Sequence, residues 1–349
     1  MNFRVTALAV ASVMAISSTS FAAASQPQIQ PPLQGTINEP QWINSDNLIV
    51  KKVTDQGFEY YKIGLNGSSE LLLKAAANAT ELVMSPDGKQ FVYVNDNGDL
   101  FLVDSVTKVE RKISTDTEPK MELQFSDNGS KLYYLLGDKI DRVAAVNLAD
   151  LKQSVIVDDK VAYKSDLQIS KDETKALYAV SKSGKVDEVA EAYTVDSKGT
   201  EPQYNLADLK TAGAKPVQLT STPDNKIYGS FLSDNRMVFV SASSEDTGMP
   251  LKQISADGKD IKFLVNHLDV SESVVLKDGS LLIIGENRAF KKSVFTVDAS
   301  GITKQLAVLP EGTLAISATD VNHVAATVET ELGEKVSVLA NGKFTDLSK

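Results

Sequence analysis

The feature that most constrains the fold is a unit of about 40 residues that recurs from residue 39 to residue 349. Each unit starts with an apolar residue, passes through a polar turn that contains aspartate, and enters a strand rich in Val, Ile, Leu, Tyr and Phe. A further turn, a third strand and a short fourth strand complete it. Seven units follow one another, and four short strands at a near-constant period are typical of propeller blades. The sequence therefore predicts an all-β fold, a β-propeller with seven four-stranded blades, with six or eight blades left open.

The turn between the first two strands of each unit carries the most regular residue of the repeat. The turn aspartates lie about 40–45 residues apart, with one gap of about 60, and are Asp46, Asp87, Asp127, Asp172, Asp234, Asp278 and Asp320. An aspartate side chain accepts backbone N–H groups across a tight turn. We therefore interpret the seven aspartates as structural turn residues rather than catalytic ones.

The second unit carries a family resemblance. Its sequence, MSPDGKQFVYVNDNGDLFLVDSVTKVERKIS, contains S-P-D-G-K, an apolar strand, an Asn/Asp/Gly turn and then LFLVD. This order resembles the WD40-like (PD40) repeat of TolB-like propellers, and it is similar to the repeat in the propellers of prolyl-oligopeptidase-type enzymes. The resemblance spans residues 39–349 and implies a propeller. The sequence shows neither the α/β domain that precedes the TolB propeller nor a peptidase domain, so we expect neither role to transfer.

The N-terminus predicts export. Arg4 precedes an apolar run, and small residues follow, which is the order of a secretory signal peptide over residues 1–24. Residues 25–38 form a Pro/Gln-rich lead-in, and residues 28–38 alternatively add a closing strand to the propeller. Because no other apolar stretch is long enough to span a bilayer, no membrane span is expected. We expect a bacterial protein that is periplasmic, at the cell surface or secreted.

Composition excludes several classes of chemistry. The chain has 349 residues, of which 42% are hydrophobic, and this supports a folded core. It has no Cys and two His, which excludes thiol nucleophiles, disulfides and multi-His metal sites. The net charge of −10 argues against nucleic-acid binding, because phosphate backbones are repelled. The sequence has no G-x-S-x-G, H-E-x-x-H, P-loop or G-x-G-x-x-G motif, so no catalytic residue is predicted.

Three acidic residues are candidates for a ligand site at the central channel. Glu81, Glu122 and Asp166 each lie three positions before the apolar residue that precedes the turn in units two, three and four. Equivalent positions in the innermost strands are expected to point the same way, which predicts an arc of carboxylates near the channel. Such an arc suits a hard cation such as Ca²⁺, or a basic peptide. The alternative is a solvated acidic rim, and no other cofactor is predicted.

The fourth unit is longer than the others. Residues 200–216 are polar overall, and the additional length predicts a loop that protrudes between outer strands. Tyr204, Leu206 and Leu209 would give this loop an apolar contact patch for a partner. The alternative is a surface insertion without a function.

The function that these features favour is binding. We expect a non-enzymatic, monomeric propeller that binds or scaffolds an envelope or extracellular protein or peptide through loops on a rigid ring. One alternative is a propeller enzyme, a lactonase-like hydrolase or a lyase, with a divalent metal at the channel mouth. Another is a carbohydrate-binding propeller, which requires exposed aromatic platforms.

Overall fold

The computed structural model describes most of the chain, namely residues 33, 35–76, 81–182, 185–189, 192–196, 199–211, 213–242, 248–286 and 291–347. The predicted signal peptide lies outside the described residues. Within these residues the secondary structure consists of β-strands that pair antiparallel. In the same part of the chain, no helix is long and apolar enough to cross a membrane.

Blades one to three each consist of four consecutive strands, ordered from the channel outwards. Blade one contains Ile37–Asn44 (β1), Asn47–Thr54 (β2), Gly57–Gly64 (β3) and Ser69–Ala76 (β4). Blade two contains Leu82–Met84 (β5), Gln90–Val94 (β6), Leu100–Asp104 (β7) and Glu110–Lys112 (β8). Blade three contains Lys120–Phe125 (β9), Lys131–Leu136 (β10), Arg142–Asn147 (β11) and Gln153–Val157 (β12).

Blade four contains an additional pair of strands. Its four-stranded sheet consists of Lys164–Ile169 (β13), Lys175–Val180 (β14), Gln203–Asp208 (β17) and Val217–Gln218 (β18). Between β14 and β17 lie Lys185–Val189 (β15) and Ala192–Asp196 (β16), which among the described strands pair only with each other.

Blades five to seven return to four consecutive strands each. Blade five contains Asn225–Phe231 (β19), Met237–Ala242 (β20), Leu251–Ile254 (β21) and Ile261–Val265 (β22). Blade six contains Asp269–Val275 (β23), Leu281–Glu286 (β24), Lys292–Val297 (β25) and Thr303–Val308 (β26). Blade seven contains Thr313–Asp320 (β27), His323–Thr330 (β28), Gly333–Ala340 (β29) and Lys343–Asp346 (β30). The predicted seven-bladed propeller is confirmed.

The third strand of blade four is not the segment that its residue pattern favours. The segment AYTVDSK has the residue pattern of a third strand, but its strand, β16, pairs with β15. The third strand is β17, which pairs with β14 over six residues, from Lys175–Asp208 to Val180–Gln203. The predicted protruding loop over residues 200–216 is therefore wrong, because much of it lies within the blade. The additional length of blade four lies between Val180 and Gln203.

The hydrophobic core lies between neighbouring blades. The buried side chains form seven clusters, one at each blade interface. In β10, Tyr134 and Leu136 pack against blade two, whereas Tyr133 and Leu135 pack against blade four. Because both faces of such a strand are buried, its sequence is a continuous apolar run rather than an alternating one.

The ring closes by packing of the first blade against the seventh, since each described sheet consists of strands close in sequence. The Trp42 indole N–H donates to the Ser317 carbonyl at 3.2 Å, and its ring meets the His323 ring edge-on at 5.3 Å. Ile37 lies in the same buried cluster as Val336. The innermost strand of blade one begins at Ile37, and no closing strand from residues 28–38 is present among the described residues.

Candidate functional site

The innermost strands of blades one, three, four and five share a β-bulge close to the channel. In β9 the ladder shifts so that Glu122 and Leu123 together lie opposite Tyr134. The first residue of each bulge has a left-handed φ of 49° to 57°, at Glu39, Glu122, Asp166 and Tyr228. A bulge redirects the backbone, so in blades three, four and five the N–H group of the next residue leaves the ladder within its own sheet. In blade one the next residue is Pro40, which has no N–H group.

Four carboxylates accept the N–H groups that the neighbouring inner strands present. We call each such contact a clasp, because it joins one blade to the next. The clasps and their N···O distances are Glu81–Leu123 (3.0 Å), Glu122–Leu167 (2.6 Å), Asp166–Gly229 (2.7 Å) and Glu272–Ile316 (2.9 Å). Gln124 makes a similar contact to Ile169 at 3.0 Å with its neutral amide oxygen. A charge is therefore not required for a side chain to bridge two blades in this way.

Burial makes the clasping carboxylates difficult to ionise. It raises the pKa of Glu81 to about 7, and the Glu122 carboxylate adds to this rise, while the Leu123 N–H opposes it. Burial likewise raises the pKa of Glu272 to about 7. The pKa values of Glu122 and Asp166 are also raised by burial, against the opposing effect of their backbone hydrogen bonds. Four carboxyl groups of the inner strands therefore hold protons more tightly than exposed ones.

A cavity of about 630 Å³ at the channel brings the three predicted carboxylates together. We call it the acidic mouth, and it is lined by Glu81, Glu122 and Asp166 together with Pro202 and Tyr228. Tyr228 is 41% exposed. In the part of the chain that the structure describes, no three His, Asp or Glu side chains lie close enough to hold a metal ion. The three carboxylates thus line one cavity, but they are farther apart in this structure than the ligands of one metal ion.

A second cavity, of about 660 Å³, shares Gln124 and Gln168 with the acidic mouth and lies towards the turn aspartates. Lys171 and Lys277 line it, and the Lys171 ammonium lies 3.6 Å from the Asp127 carboxylate. Both linings contain these two amides, and the buried, ion-paired Lys226 also lines the acidic mouth. The two cavities differ because three carboxylates line the acidic mouth, whereas Asp127 is accompanied by two lysines in the second cavity.

The predicted apolar patch at Tyr204, Leu206 and Leu209 is wrong. Tyr204 is fully buried, and its hydroxyl donates to the Asp166 carboxylate. Leu206 packs against the core between blades four and five, and Leu209 packs against the core between blades three and four. These residues lie in or beside β17, a strand within the blade, so their side chains face the cores between neighbouring blades. Tyr204 nonetheless belongs to the surroundings of the acidic mouth, because it fixes the Asp166 carboxylate.

Three buried lysines lie near the start of the inner strands, and they were not predicted from the sequence. The side chains of Lys120, Lys164 and Lys226 are 0% exposed, and each ammonium group pairs with a carboxylate and donates to backbone carbonyls. The N···O distances are 2.7 Å for Lys120–Asp116, 2.7 Å for Lys164–Asp159 and 3.1 Å for Lys226–Asp224. Each lysine lies two residues before the first bulge residue, in K-M-E, K-S-D and K-I-Y. This repeated spacing was the signal that would have identified them.

Most of the turn aspartates have the structural role that was predicted. A carboxylate accepts the backbone N–H two residues later at Asp87, Asp172, Asp234, Asp278 and Asp320. Blades one and three differ. There Asn44 accepts from Asp46 N–H at 2.9 Å, and Asn128 accepts from Ser130 N–H at 2.9 Å. For Asp46 and Asp127 the prediction is therefore corrected, because a neighbouring asparagine closes the turn.

The sequence matches no protein-family model and no curated protein. The PD40 resemblance is therefore not confirmed by a family model. The fold does resemble solved propellers, and this likeness is consistent with the class that the geometry defines, a seven-bladed β-propeller.

Three solved structures illustrate this likeness. An oligogalacturonate lyase in complex with manganese is 14% identical, with 86% of this chain and 87% of that chain covered and a TM-score of 0.65. The oligogalacturonate lyase from Vibrio parahaemolyticus is 13% identical, with 86% and 88% covered and a TM-score of 0.63. The β-propeller domain of the Trilobed protease from Pyrococcus furiosus, described as having an open velcro topology, is 15% identical, with 90% and 96% covered and a TM-score of 0.62. At these identities the likeness shows the fold alone.

Proposed function

We propose that this chain is an exported, non-enzymatic propeller that binds a protein or peptide partner at the acidic mouth. The observation that carries this proposal is the gathering of Glu81, Glu122 and Asp166 around one cavity beside the exposed Tyr228. Cationic side chains of a partner would offset the cost of ionising these carboxylates, and Tyr228 offers an aromatic anchor of the kind that binding sites favour. The basic segment of an envelope or extracellular protein is therefore the partner class that the site fits best.

The clasps support binding at this site because they hold the carboxylates in fixed positions. Each carboxylate is oriented by a backbone N–H group of the next blade, and Asp166 is held by the Tyr204 hydroxyl as well. A partner that meets preorganised groups loses less free energy to side-chain ordering. A propeller ring thus provides the rigid presentation on which a binding module depends.

Export belongs to the same proposal, and it rests on the N-terminal sequence. The order of a positive residue, an apolar run and small residues in 1–24 is typical of a cleaved signal peptide. N-terminal sequencing of the protein from host cell fractions tests it. A chain that begins near residue 25 in the envelope or medium supports export, and an intact N-terminus in the cytosol contradicts it.

The experiment on binding uses variants that remove charge while retaining the clasp. Glutamine bridges two blades at position 124, so Glu81→Gln with Glu122→Gln should preserve the fold. Glu272→Gln is the matched control, because this carboxylate also forms a clasp but is not among the residues that line the acidic mouth. The mature chain, residues 25–349, and both variants are used to capture proteins from envelope and culture-supernatant extracts of the host.

We expect the wild type and the Glu272→Gln control to capture one basic protein. The double variant should not capture it. With that partner purified, the dissociation constant should rise about tenfold for each carboxylate removed and should rise with salt. No enrichment by a folded wild-type protein would contradict the proposal, as would equal capture by the double variant.

A second candidate is a propeller enzyme with a divalent metal, and the likeness to oligogalacturonate lyase with manganese favours it. Calorimetric titration of the mature chain with Mn²⁺ and Ca²⁺ separates the two functions. Stoichiometric metal binding that is lost in the double variant supports the propeller enzyme with a divalent metal. The absence of a heat of binding at millimolar metal contradicts this candidate.

A further inference from the structure

The connection between β14 and β17 distinguishes blade four from the blade beside it. In blade three, residues 137–141 connect Leu136 to its cross-strand partner Arg142. In blade four, residues 181–202 connect the equivalent pair, Val180 and Gln203. A tight turn would suffice at this position, so the additional residues are not required to build the blade.

The strands β15 and β16 within this connection form a ribbon with unpaired edges. They pair through five residue pairs, from Lys185–Asp196 to Val189–Ala192. Within the described part of the chain, no other strand forms a ladder with either of them. A two-stranded ribbon is marginally stable in water, and its outer edges present backbone N–H and C=O groups that another strand can pair with. A third strand would therefore stabilise it.

The ribbon leaves the ring at the acidic mouth. The strand β14 ends at Val180, which pairs with Lys164, two residues before Asp166. The chain returns through Pro202, which lines the acidic mouth together with Asp166. The chain therefore leaves and re-enters blade four at the end of the molecule that carries the three carboxylates.

The sequence of the ribbon has the charge of the acidic mouth. The two strands, residues 185–189 and 192–196, contain Asp187, Glu188 and Asp196 against a single basic residue, Lys185. A cationic strand would be attracted by both the ribbon and the mouth, and an anionic strand would be repelled by both. Five residues of extended chain span about 16 Å, which sets the length of strand that the ribbon can pair with.

We propose that the ribbon β15–β16 adds an extended, positively charged segment of the partner protein as a third strand, next to the acidic mouth. This inference rests on the proposed function, and it names how the partner binds. Backbone hydrogen bonds to the ribbon edge supply affinity, and the spacing of cationic side chains towards the mouth supplies specificity.

The test uses two labelled decapeptides of equal charge, one alternating Lys and Val and one alternating Lys and Pro. Proline has no N–H group to donate to a ladder, so only the Lys-Val peptide can add a complete strand. The proteins are the mature chain and a variant in which residues 181–202 are replaced by Gly-Asp-Lys-Ile-Asp, the blade-three connection. Fluorescence anisotropy measures affinity, and hydrogen exchange measures protection of residues 185–189 and 192–196.

We expect the Lys-Val peptide to bind the mature chain at least about tenfold more tightly than the Lys-Pro peptide, with protection of both ribbon strands. The replacement variant should lose this preference. Should that variant not fold, Thr194→Pro interrupts the ribbon without touching the four-stranded sheet. Equal affinity for the two peptides, or an unchanged preference in either folded variant, would overturn the inference.

The outcomes also separate this inference from the proposed function. Equal binding of both peptides that is lost with Glu81→Gln and Glu122→Gln overturns strand addition and supports the acidic mouth as the site. Absence of binding by both peptides at millimolar concentration contradicts strand addition as well as a general affinity of the mouth for basic segments.

Discussion

Replacing Glu272 by glutamine should make the protein more stable at pH 8 and reduce the pH dependence of its stability. The Glu272 carboxylate accepts the Ile316 N–H at 2.9 Å and is 8% exposed. Burial raises its pKa from 4.5 to about 7, against the opposing effect of that hydrogen bond. Because one pKa unit corresponds to about 1.4 kcal/mol, ionising this group in the folded protein costs about 3 kcal/mol more than in the unfolded chain.

The direction of the effect follows from where the proton is held. Below pH 4.5 the carboxyl group is protonated in both states, and its contribution to stability is fully present. As the pH rises towards 7, the unfolded chain loses the proton first, so the free energy of unfolding falls. Above pH 7 the carboxyl group is ionised in both states, and the free energy of unfolding is lowered by the full cost of ionising Glu272 in the folded protein. The raised pKa values of Glu81, Glu122 and Asp166 act in the same direction, so only the difference between wild type and variant isolates Glu272.

Urea unfolding, followed by circular dichroism and by the fluorescence of the single tryptophan, measures this difference at several pH values from 4.5 to 8.5. The variant is expected to gain about 1–3 kcal/mol over the wild type between the ends of this range, since its amide still accepts from Ile316. Glu329→Gln, at an exposed position, is the matched control and should show no such trend. A wild-type-minus-variant difference that stays constant across the range would refute the reasoning.

Three further substitutions test the packing around the site. Tyr204→Phe removes the hydroxyl that donates to buried Asp166, so urea unfolding should show a loss of about 2 kcal/mol, whereas no change would contradict this role. Lys164→Met leaves the carboxylate partner of the buried ammonium group unpaired and should cost about 3–5 kcal/mol, against less than about 1 for the exposed ion-paired Lys160→Met. Trp42→Phe removes the indole hydrogen bond between blades one and seven and should lower the melting temperature measured by calorimetry by several degrees; an unchanged value would show that this contact does not hold the ring closed.

The repeat made the fold predictable because the middle strands have an unambiguous sequence. A strand such as Lys131–Leu136 is buried on both faces over residues 132–136, so these positions favour apolar residues and the run is visible without knowledge of its neighbours. Trp42 likewise lies in the buried cluster between blades one and seven, where a large aromatic side chain supplies much of the burial. Features that are set by local burial were therefore recovered.

Features that depend on which segments pair were not recovered. Ala192–Asp196 and Gln203–Asp208 are both short strands with apolar residues at intervals, and both precede the fourth strand of blade four. Local propensity cannot decide which of them pairs with β14. The bulges were hidden for a related reason. A left-handed φ is usually marked by glycine, but here it occurs at Glu122 and Asp166, whose next N–H groups are satisfied by another blade.

The acidic residues of the inner strands were predicted as ligand residues, but their contacts in the structure are with backbone groups of the next blade. Their periodic spacing predicts a shared direction, and Glu81, Glu122 and Asp166 line one cavity, the acidic mouth. Their immediate partners, however, are backbone N–H groups of the next blade. Residues that recur with the blade period occupy equivalent positions in successive blades. Such positions can form either a shared ligand site or a repeated contact between blades, so the spacing alone does not distinguish the two.

Glu272 separates these two explanations, because it forms the same contact away from the acidic mouth. If the charge of a clasping carboxylate affects only the fold, Glu81→Gln and Glu272→Gln should change the free energy of unfolding by similar amounts. Neither variant should then change the affinity for the partner. Where the charge at the mouth serves a ligand, both variants should gain stability at pH 8, but only Glu81→Gln should weaken the partner's affinity, by about tenfold. Equal loss of affinity in the two variants would instead place the effect in the ring as a whole.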